Sequence, residues 1–233
     1  MKDARYKKVF IFGFIALILC GVGDWLLGYE PQGGEAVLWG ISRSTITEVP
    51  AWFYIISMFF GILSAFACQA YAPLMEDVVR KEGVSSESKL YKWLHFGLSS
   101  APLMFISFHT ACCVALLFLR GAMLSGMDVA SVNDHMVLPM AASLLPFVVW
   151  CLLCDIPASI AFAGFVIKGD LKISKAAILC TPFSMSILGK IVGAILLACG
   201  SPLVFMAACG ESWGWGFMCL AFYFITKKGS AVR

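Results

Sequence analysis

Four ionisable residues interrupt long apolar stretches of the sequence and are its first candidates for chemistry: Asp24, His109, Lys190 and Glu211. A charged side chain near the centre of a lipid bilayer costs at least about 2.5–3.5 kcal/mol, so each residue needs a partner or a role. Imidazole changes its charge near neutral pH, and a carboxylate beside it can orient it for proton transfer. We therefore predict two catalytic residues, His109 as general acid or base and Asp24 as its orienting group. The sequence leaves open a hydrogen-bonded core histidine and a carboxylate that ends its helix near the headgroups.

Lys190 and Glu211 form a second candidate pair, with a predicted role in binding. Lys190 lies within Gly189–Gly193 and Glu211 lies within Gly210–Gly214. Both segments match the GxxxG pattern, whose missing side chains let two helices approach closely. We expect two antiparallel helices joined by a short turn, so that the two charges lie at the same depth and pair. Two interpretations stay open: a purely structural ion pair, or an ion pair that anchors the wall of a polar cavity.

The composition excludes an ordinary soluble domain. Hydrophobic residues make up 61% of the chain and charged residues 13%, whereas soluble domains contain roughly 45–50% and about 25%. The mean hydropathy is +0.88, and the net charge of +3 is too small to indicate a nucleic-acid surface. We predict a multi-pass protein of the cell membrane, expected to be a bacterial inner membrane. Its partners would be membrane lipids and a small amphiphilic ligand, and no nucleic acid.

Six segments contain the roughly 20 apolar residues that a membrane-crossing helix needs. Fourteen of the 17 basic residues fall at the N-terminus, in 76–92, in 168–175 and in the C-terminal tail. Six crossings put these places on one side, which the positive-inside rule assigns to the cytoplasm. We therefore predict an all-α, six-helix transmembrane bundle, a single domain over residues 1–233, with both termini cytoplasmic. The predicted spans are 9–28, 51–75, 91–119, 135–167, 174–199 and 201–226.

The fourth predicted span, 135–167, is long for one crossing and contains Pro139, Pro146 and Pro157. Proline removes a backbone donor and clashes with the preceding turn, so we expect either a kinked helix or an interrupted one. Asp155 precedes Ile156 and Pro157, an order that is typical of a capped helix start.

The predicted outer loop, 29–50, is broken by glycine and proline but is partly apolar. It is expected either to lie flat on the outer leaflet or to fold into the mouth of the bundle as a lid. Trp39, Arg43 and Glu48 of this loop, together with Trp213, are predicted to contact a ligand as lid or wall residues.

We predict no metal and no cofactor. All ten cysteines lie in the predicted spans and are interpreted as small apolar packing residues. Cys151 and Cys154 have CxxC spacing, but the loop cysteines of a disulfide relay are missing, and no loop supplies a tetrahedral zinc set. The three histidines are too few for two haems that each need two.

Short motifs in the chain resemble those of uncharacterised bacterial multi-pass membrane proteins. In that family a first helix closes with Gly-Asp-x-Leu-Leu-Gly, seen here at 23–28, and a later helix carries a histidine followed by small residues and cysteine, seen here at 109–112. The start at Pro182-Phe183 and the glycine-rich last span are similar too, although Glu211 and two tryptophans depart from the pattern. The resemblance implies a multi-pass topology and brings no established activity.

These observations predict a polar pocket that opens outward beneath the loop 29–50, and three functions stay open. The first is a membrane-embedded enzyme that acts on a lipid or amphiphile entering from the outer leaflet. The second is a proton-coupled small-molecule transporter that uses the same charges as a relay. The third is a non-catalytic membrane subunit in which all four groups are structural.

Overall fold

Each long apolar stretch forms α-helix, because a helix satisfies its backbone hydrogen bonds internally. The computed structural model describes residues 2–29, 36–38, 41–199, 201 and 209–231. A short hairpin, β1 (Ala36–Leu38) and β2 (Ile41–Ser42), accompanies the helices. The helices are α1 (Lys2–Leu27), α2 (Arg43–Glu48), α3 (Trp52–Lys81), α4 (Lys89–Leu124), α5 (Val129–Val132), α6 (Leu138–Lys168), α7 (Pro182–Ala198) and α8 (Gly210–Ala231).

The packing order of the helices brings the first and last of them together. α1 lies against α3 and α8, α4 lies between α3 and α6, and α7 lies against α8 and α6. The core therefore receives side chains from α1, α3, α4, α6 and α8. Its largest members include Phe10, Tyr71, Phe105, Phe162 and Trp215.

The prediction of an all-helical protein is confirmed. Among the described residues, four helical stretches are long and apolar enough to cross a membrane, and a fifth apolar helix, Pro182–Leu196, is shorter. These lengths and compositions are those of a membrane protein. The four long stretches are Ala4–Leu27, Trp52–Lys81, Lys89–Leu124 and Val129–Lys168.

The fourth predicted span is a continuous helical stretch rather than an interrupted one. α5 runs into a π-helical turn, Asn133–Val137, which leads into α6. Pro139 follows this turn and has no N–H to donate to the carbonyl group of His135, so the α-helical hydrogen-bond pattern changes there. Asp155 lies inside α6, so the interpretation of Asp155 as a helix cap is wrong.

The fifth predicted span, 174–199, becomes α-helical later than the sequence indicates, and residues 202–208 of the sixth lie outside the described residues. A 3-10 helix, Lys175–Cys180, precedes α7. The backbone N–H of Phe183 donates to Ser159 Oγ at 3.1 Å, so α7 starts about 14 Å along α6 from the end of α6 at Lys168. The final helix, α8, begins at Gly210.

The register of α7 and α8 follows from two close glycine contacts. A Cβ atom on Gly214 would lie 2.5 Å from Pro182 Cα, and Gly210 lies against the backbone of Met185. The GxxxG glycines of α8 therefore do permit a close helix approach, as predicted. They pack on the first turns of α7, however, and not beside Lys190.

The described part of the outer loop, 41–50, folds onto the helices. Ile46 and Val49 are buried. Arg120 Nη1 of α4 donates to the carbonyl oxygen of Ile46 at 2.7 Å and to that of Val49 at 2.6 Å. Charge-assisted bonds of this kind hold the α2 segment against one end of the bundle.

Two glycines of α4 provide a test of this packing. A Cβ atom on Gly97 would lie 2.7 Å from Ala158 Cβ and 2.8 Å from the carbonyl oxygen of Cys154, whereas a Cβ atom on Gly121 would meet nothing within 4 Å among the described residues. We expect Gly97→Ala to lower the free energy of unfolding by about 1–3 kcal/mol, because α4 and α6 must separate. Gly121→Ala should be neutral or stabilising by up to about 1 kcal/mol. Unfolding of the two detergent-solubilised variants measures the difference, and equal stabilities would contradict the α4–α6 contact.

Candidate functional site

A group of polar side chains lies in the interior of the bundle, where α8 begins. Among the described residues, His109, Asp155 and Ser212 are buried although they are polar. They come from α4, α6 and α8. Buried polar groups are costly unless they are hydrogen-bonded, so the partners of each define the site.

His109 is held between α1 and α3. Gly61 of α3 permits its position, because a Cβ atom there would lie 2.6 Å from His109 Cβ. The Nε2 atom of His109 lies 3.0 Å from Cys20 Sγ and 3.6 Å from Asp24 Oδ1. Among the described residues, Nδ1 has no hydrogen-bond partner. The predicted proximity of Asp24 and His109 is thus confirmed, while their catalytic roles stay a prediction.

Asp24 connects α1 to α8. Ser212 Oγ donates to Asp24 Oδ2 at 2.8 Å. Asp24 and Ser212 line a cavity of about 40 Å³ together with His109 and Glu211, and its apolar wall consists of Met104, Phe105 and Phe108. A cavity of about 10–15 Å³ already holds one water, so this one has room for water between imidazole and carboxyl groups.

A second polar group joins α6 to α8. The Cys151 thiol donates to Glu211 Oε1 at 2.7 Å, and Trp215 Nε1 donates to Asp155 Oδ1 at 2.8 Å. Cys151 Sγ lies 4.0 Å from Asp155 Oδ2. Sequence reasoning missed Asp155 as a site residue. The spacing of four residues between Cys151 and Asp155 could have indicated this role, because it puts both side chains on one face of an otherwise apolar helix.

A larger cavity of about 270 Å³ lies among α4, α6, α7 and α8. Its polar lining consists of Cys151, Asp155, Ser186, Lys190 and Glu211, and its apolar lining includes Leu152, Phe183 and Ile187. These three apolar side chains are also partly exposed on the surface of the bundle. The cavity therefore combines exposed apolar side chains and the exposed Lys190 on α6 and α7 with the buried carboxyl group of Asp155 and the half-buried one of Glu211. Because Glu211 and Phe108 line both cavities, the two adjoin.

The predicted direct ion pair of Lys190 with Glu211 is wrong. Among the described residues, the Lys190 ammonium nitrogen is not within 4.0 Å of the Glu211 carboxylate, although both side chains line the larger cavity. The physical reason is the register of the helices. Glu211 follows Gly210, which lies beside Met185, whereas Lys190 lies about 7 Å farther along α7. Lys190 is exposed rather than buried.

Trp213 and Glu48, two of the other predicted binding residues, line neither of these two cavities. Trp213 Nε1 donates to the carbonyl oxygen of Ile18 at 3.2 Å, so Trp213 fastens α8 to α1. Glu48 is exposed in α2. Arg43 begins α2, and its side chain, like Trp39, lies outside the described residues. The described loop residues line neither cavity, so the larger one does not open beneath 41–50.

A comparison with known families gives a match over almost the entire chain. The model of a family of unknown function, DUF6796, matches residues 1–229. The chain belongs to this family. No curated protein and no solved structure matches this DUF6796 member. The expected membership of a family without a known activity is thus confirmed.

The contacts of His109 predict its tautomer. Nε2 has a thiol and a carboxylate beside it, whereas Nδ1 has no partner among the described residues. A buried N–H without an acceptor is costly, so we expect a neutral imidazole protonated on Nε2. In protein with isotope-labelled histidine, nitrogen NMR should show this tautomer, and Asp24→Asn should shift the population towards Nδ1–H. The matched change Asp170→Asn, beyond the end of α6, should leave it unchanged. An Nδ1–H signal in the unmodified protein would contradict the assigned contacts.

Proposed function

We propose that this chain is a membrane-embedded enzyme that acts on a lipid or other amphiphile. Six helical segments, the four long ones together with α7 and α8, would cross the inner membrane of a bacterium, with both termini in the cytoplasm. The observation that carries this proposal is the larger cavity, which has exposed apolar side chains at its lining and the carboxyl groups of Asp155 and Glu211 inside. The substrate would enter this enzyme through the gap between α6 and α7, and not beneath the loop 29–50.

The positions of the basic residues support the proposed orientation. Lys81 Nζ, at the end of α3, contacts the Tyr6 hydroxyl of α1 at 2.9 Å. At the start of α4, Leu90 packs on Gly164 near the end of α6. The basic ends of α1, α3, α4 and α6 thus lie at one end of the bundle, and the positive-inside rule favours the cytoplasm for that end.

The lining of the larger cavity favours an amphiphile over a polar solute. Leu152, Phe183 and Ile187 face both the cavity and the outer surface, which would be in contact with acyl chains. Cys151, Asp155 and Glu211 lie at its polar side. A molecule that enters from the lipid would keep its tail at the apolar opening and place its polar end against these groups. A volume of about 270 Å³ suits such a polar end rather than an entire lipid.

His109 and Asp24 supply the acid–base chemistry in this proposal. With Nε2 directed at Cys20 and Asp24, the Nδ1 lone pair of His109 is available to accept a proton. The small cavity would hold a water between His109 and Glu211, next to the polar end of the larger cavity. His109 would remove a proton from this water or from the substrate, and Asp24 would stabilise the resulting imidazolium.

A proton-coupled transporter is the second candidate. The observation that favours it is a succession of titratable groups: Asp24 lies beside His109, His109 and Glu211 line the small cavity, and Glu211 lies near Asp155. Titratable groups of this kind form proton relays in membrane proteins. A transporter requires a gradient for net uptake, whereas an enzyme turns over in detergent without one.

The enzyme proposal predicts a large effect of one histidine. We expect purified protein in detergent to convert a component of a total bacterial lipid extract, detected by mass spectrometry of the extract before and after incubation. His109→Gln should slow this conversion by about 10²–10⁴-fold, because it removes the acid–base group. His135→Gln, in the π-helical turn, should leave the rate unchanged. Conversion that persists in His109→Gln would contradict the proposed role. Gradient-dependent uptake without conversion would favour the transporter, and neither activity would favour a structural subunit.

A further inference from the structure

Three potential metal ligands from two helices converge at the polar side of the larger cavity. One donor atom each from Cys151, Asp155 and Glu211 lies within 4.8 Å of the other two. With zinc–ligand bonds of about 2.0–2.3 Å in a tetrahedral site, neighbouring donors are about 3.3–3.8 Å apart. Cys151 Sγ lies 2.7 Å from Glu211 Oε1 and 4.0 Å from Asp155 Oδ2. Bringing these two distances from Cys151 Sγ to the tetrahedral values would change each of them by less than about 1 Å.

The charge at this place also calls for a cation. Asp155 is only 3% exposed. Among the described residues, no lysine, arginine or histidine nitrogen lies within 4.0 Å of the carboxylates of Asp155 or Glu211. Lys190 lines the same cavity but lies beyond this distance, so a proton or a metal ion has to compensate the buried carboxyl group of Asp155 beside the half-buried one of Glu211. We propose that Cys151, Asp155 and Glu211 bind a divalent transition-metal ion of the zinc type.

The surroundings of the three ligands are those of a metal site with an open position. Trp215 Nε1 donates to Asp155 Oδ1, which leaves Oδ2 on the side of Cys151. Hydrogen bonds of this kind orient ligating carboxylates. Three protein ligands next to an accessible cavity leave the fourth position for water or substrate, as in catalytic zinc sites.

A buried histidine shares the small cavity with Glu211, one of the three proposed ligands. His109 is 4% exposed and lines the small cavity that Glu211 also lines. Its Nδ1 atom has no hydrogen-bond partner in the described part of the chain. A metal-bound water that reached the small cavity would satisfy this nitrogen and deliver its proton to it. One water molecule would then be bound by the metal ion and hydrogen-bonded to the base, His109.

The chemical types of the three proposed ligands, one thiol and two carboxyl groups, determine which metal ions they favour. A thiolate ligand disfavours magnesium and calcium, which prefer oxygen, and favours zinc or a neighbouring transition metal. Metal binding does not depend on what enters the larger cavity, so the metal proposal and the proposed enzyme can fail separately.

Cobalt provides the direct test, because a cobalt–thiolate bond gives a charge-transfer absorption band in the near ultraviolet. The full-length protein is purified in detergent, treated with a chelator and titrated with Co²⁺ alone. We expect one equivalent to produce the band and Zn²⁺ to abolish it by displacement. Cys151→Ser should lose the band, whereas Cys154→Ser, a buried cysteine of the same helix outside the cluster, should keep it.

A second measurement covers variants that fold poorly. Zn²⁺ should raise the unfolding midpoint of the unmodified protein and of Cys154→Ser, because a ligand that binds the folded state stabilises it. Glu211→Gln should weaken Co²⁺ binding at least about tenfold, since even outer-shell changes cost about 10–100-fold. The proposal is overturned if the unmodified protein gives no thiolate band and no Zn²⁺ stabilisation, a result that would assign a shared proton to the two carboxyl groups. A band that survives Cys151→Ser would overturn it as well.

Discussion

The first turn of α8 lies inside the bundle, and the polar interior depends on this placement. Glu211 and Ser212 could not face lipid there without a large energetic cost, and neighbouring helices supply their partners. Cys151 of α6 binds Glu211, and Asp24 of α1 accepts a hydrogen bond from Ser212. Gly210 and Gly214 of α8 have no side chains, so the backbone of α7 can pack closely against them. This close packing allows the first turn of α8 to lie in the interior of the bundle. Each polar contact thereby fixes the position of one surrounding helix.

This arrangement puts two different kinds of chemistry next to each other. On one side of Glu211, Asp24 and His109 lie together beside a water-sized cavity, where they would supply the proposed acid–base chemistry. On the other side, Cys151 and Asp155 would complete the proposed set of metal ligands at the larger cavity. In this proposal Glu211 lies between the general base His109 and the metal ion, and the two together would activate a water molecule.

The sequence predicts the helical class and the meeting of Asp24 with His109, because a lone polar residue in an apolar helix is driven towards the protein interior. The sequence does not predict that Lys190 and Glu211 lie at different levels along the packed helices α7 and α8. That prediction assumed a short turn between two helices of equal length. The actual register depends on where α7 begins, which is set by the 3-10 helix Lys175–Cys180 and by the distant contact of Phe183 with Ser159. Asp155 was overlooked because its position before proline is also typical of a helix cap.

The central claim is that Glu211 pairs with α6 rather than with Lys190, and a double-mutant cycle tests it most directly. Chelator-treated protein is used, so that only the side chains contribute. The combination of Cys151→Ala with Glu211→Gln should show a coupling energy of about 0.5–3 kcal/mol, as expected for residues in contact. Lys190→Gln combined with Glu211→Gln should be additive within about 0.5 kcal/mol. A larger coupling for Lys190 than for Cys151 would contradict the account.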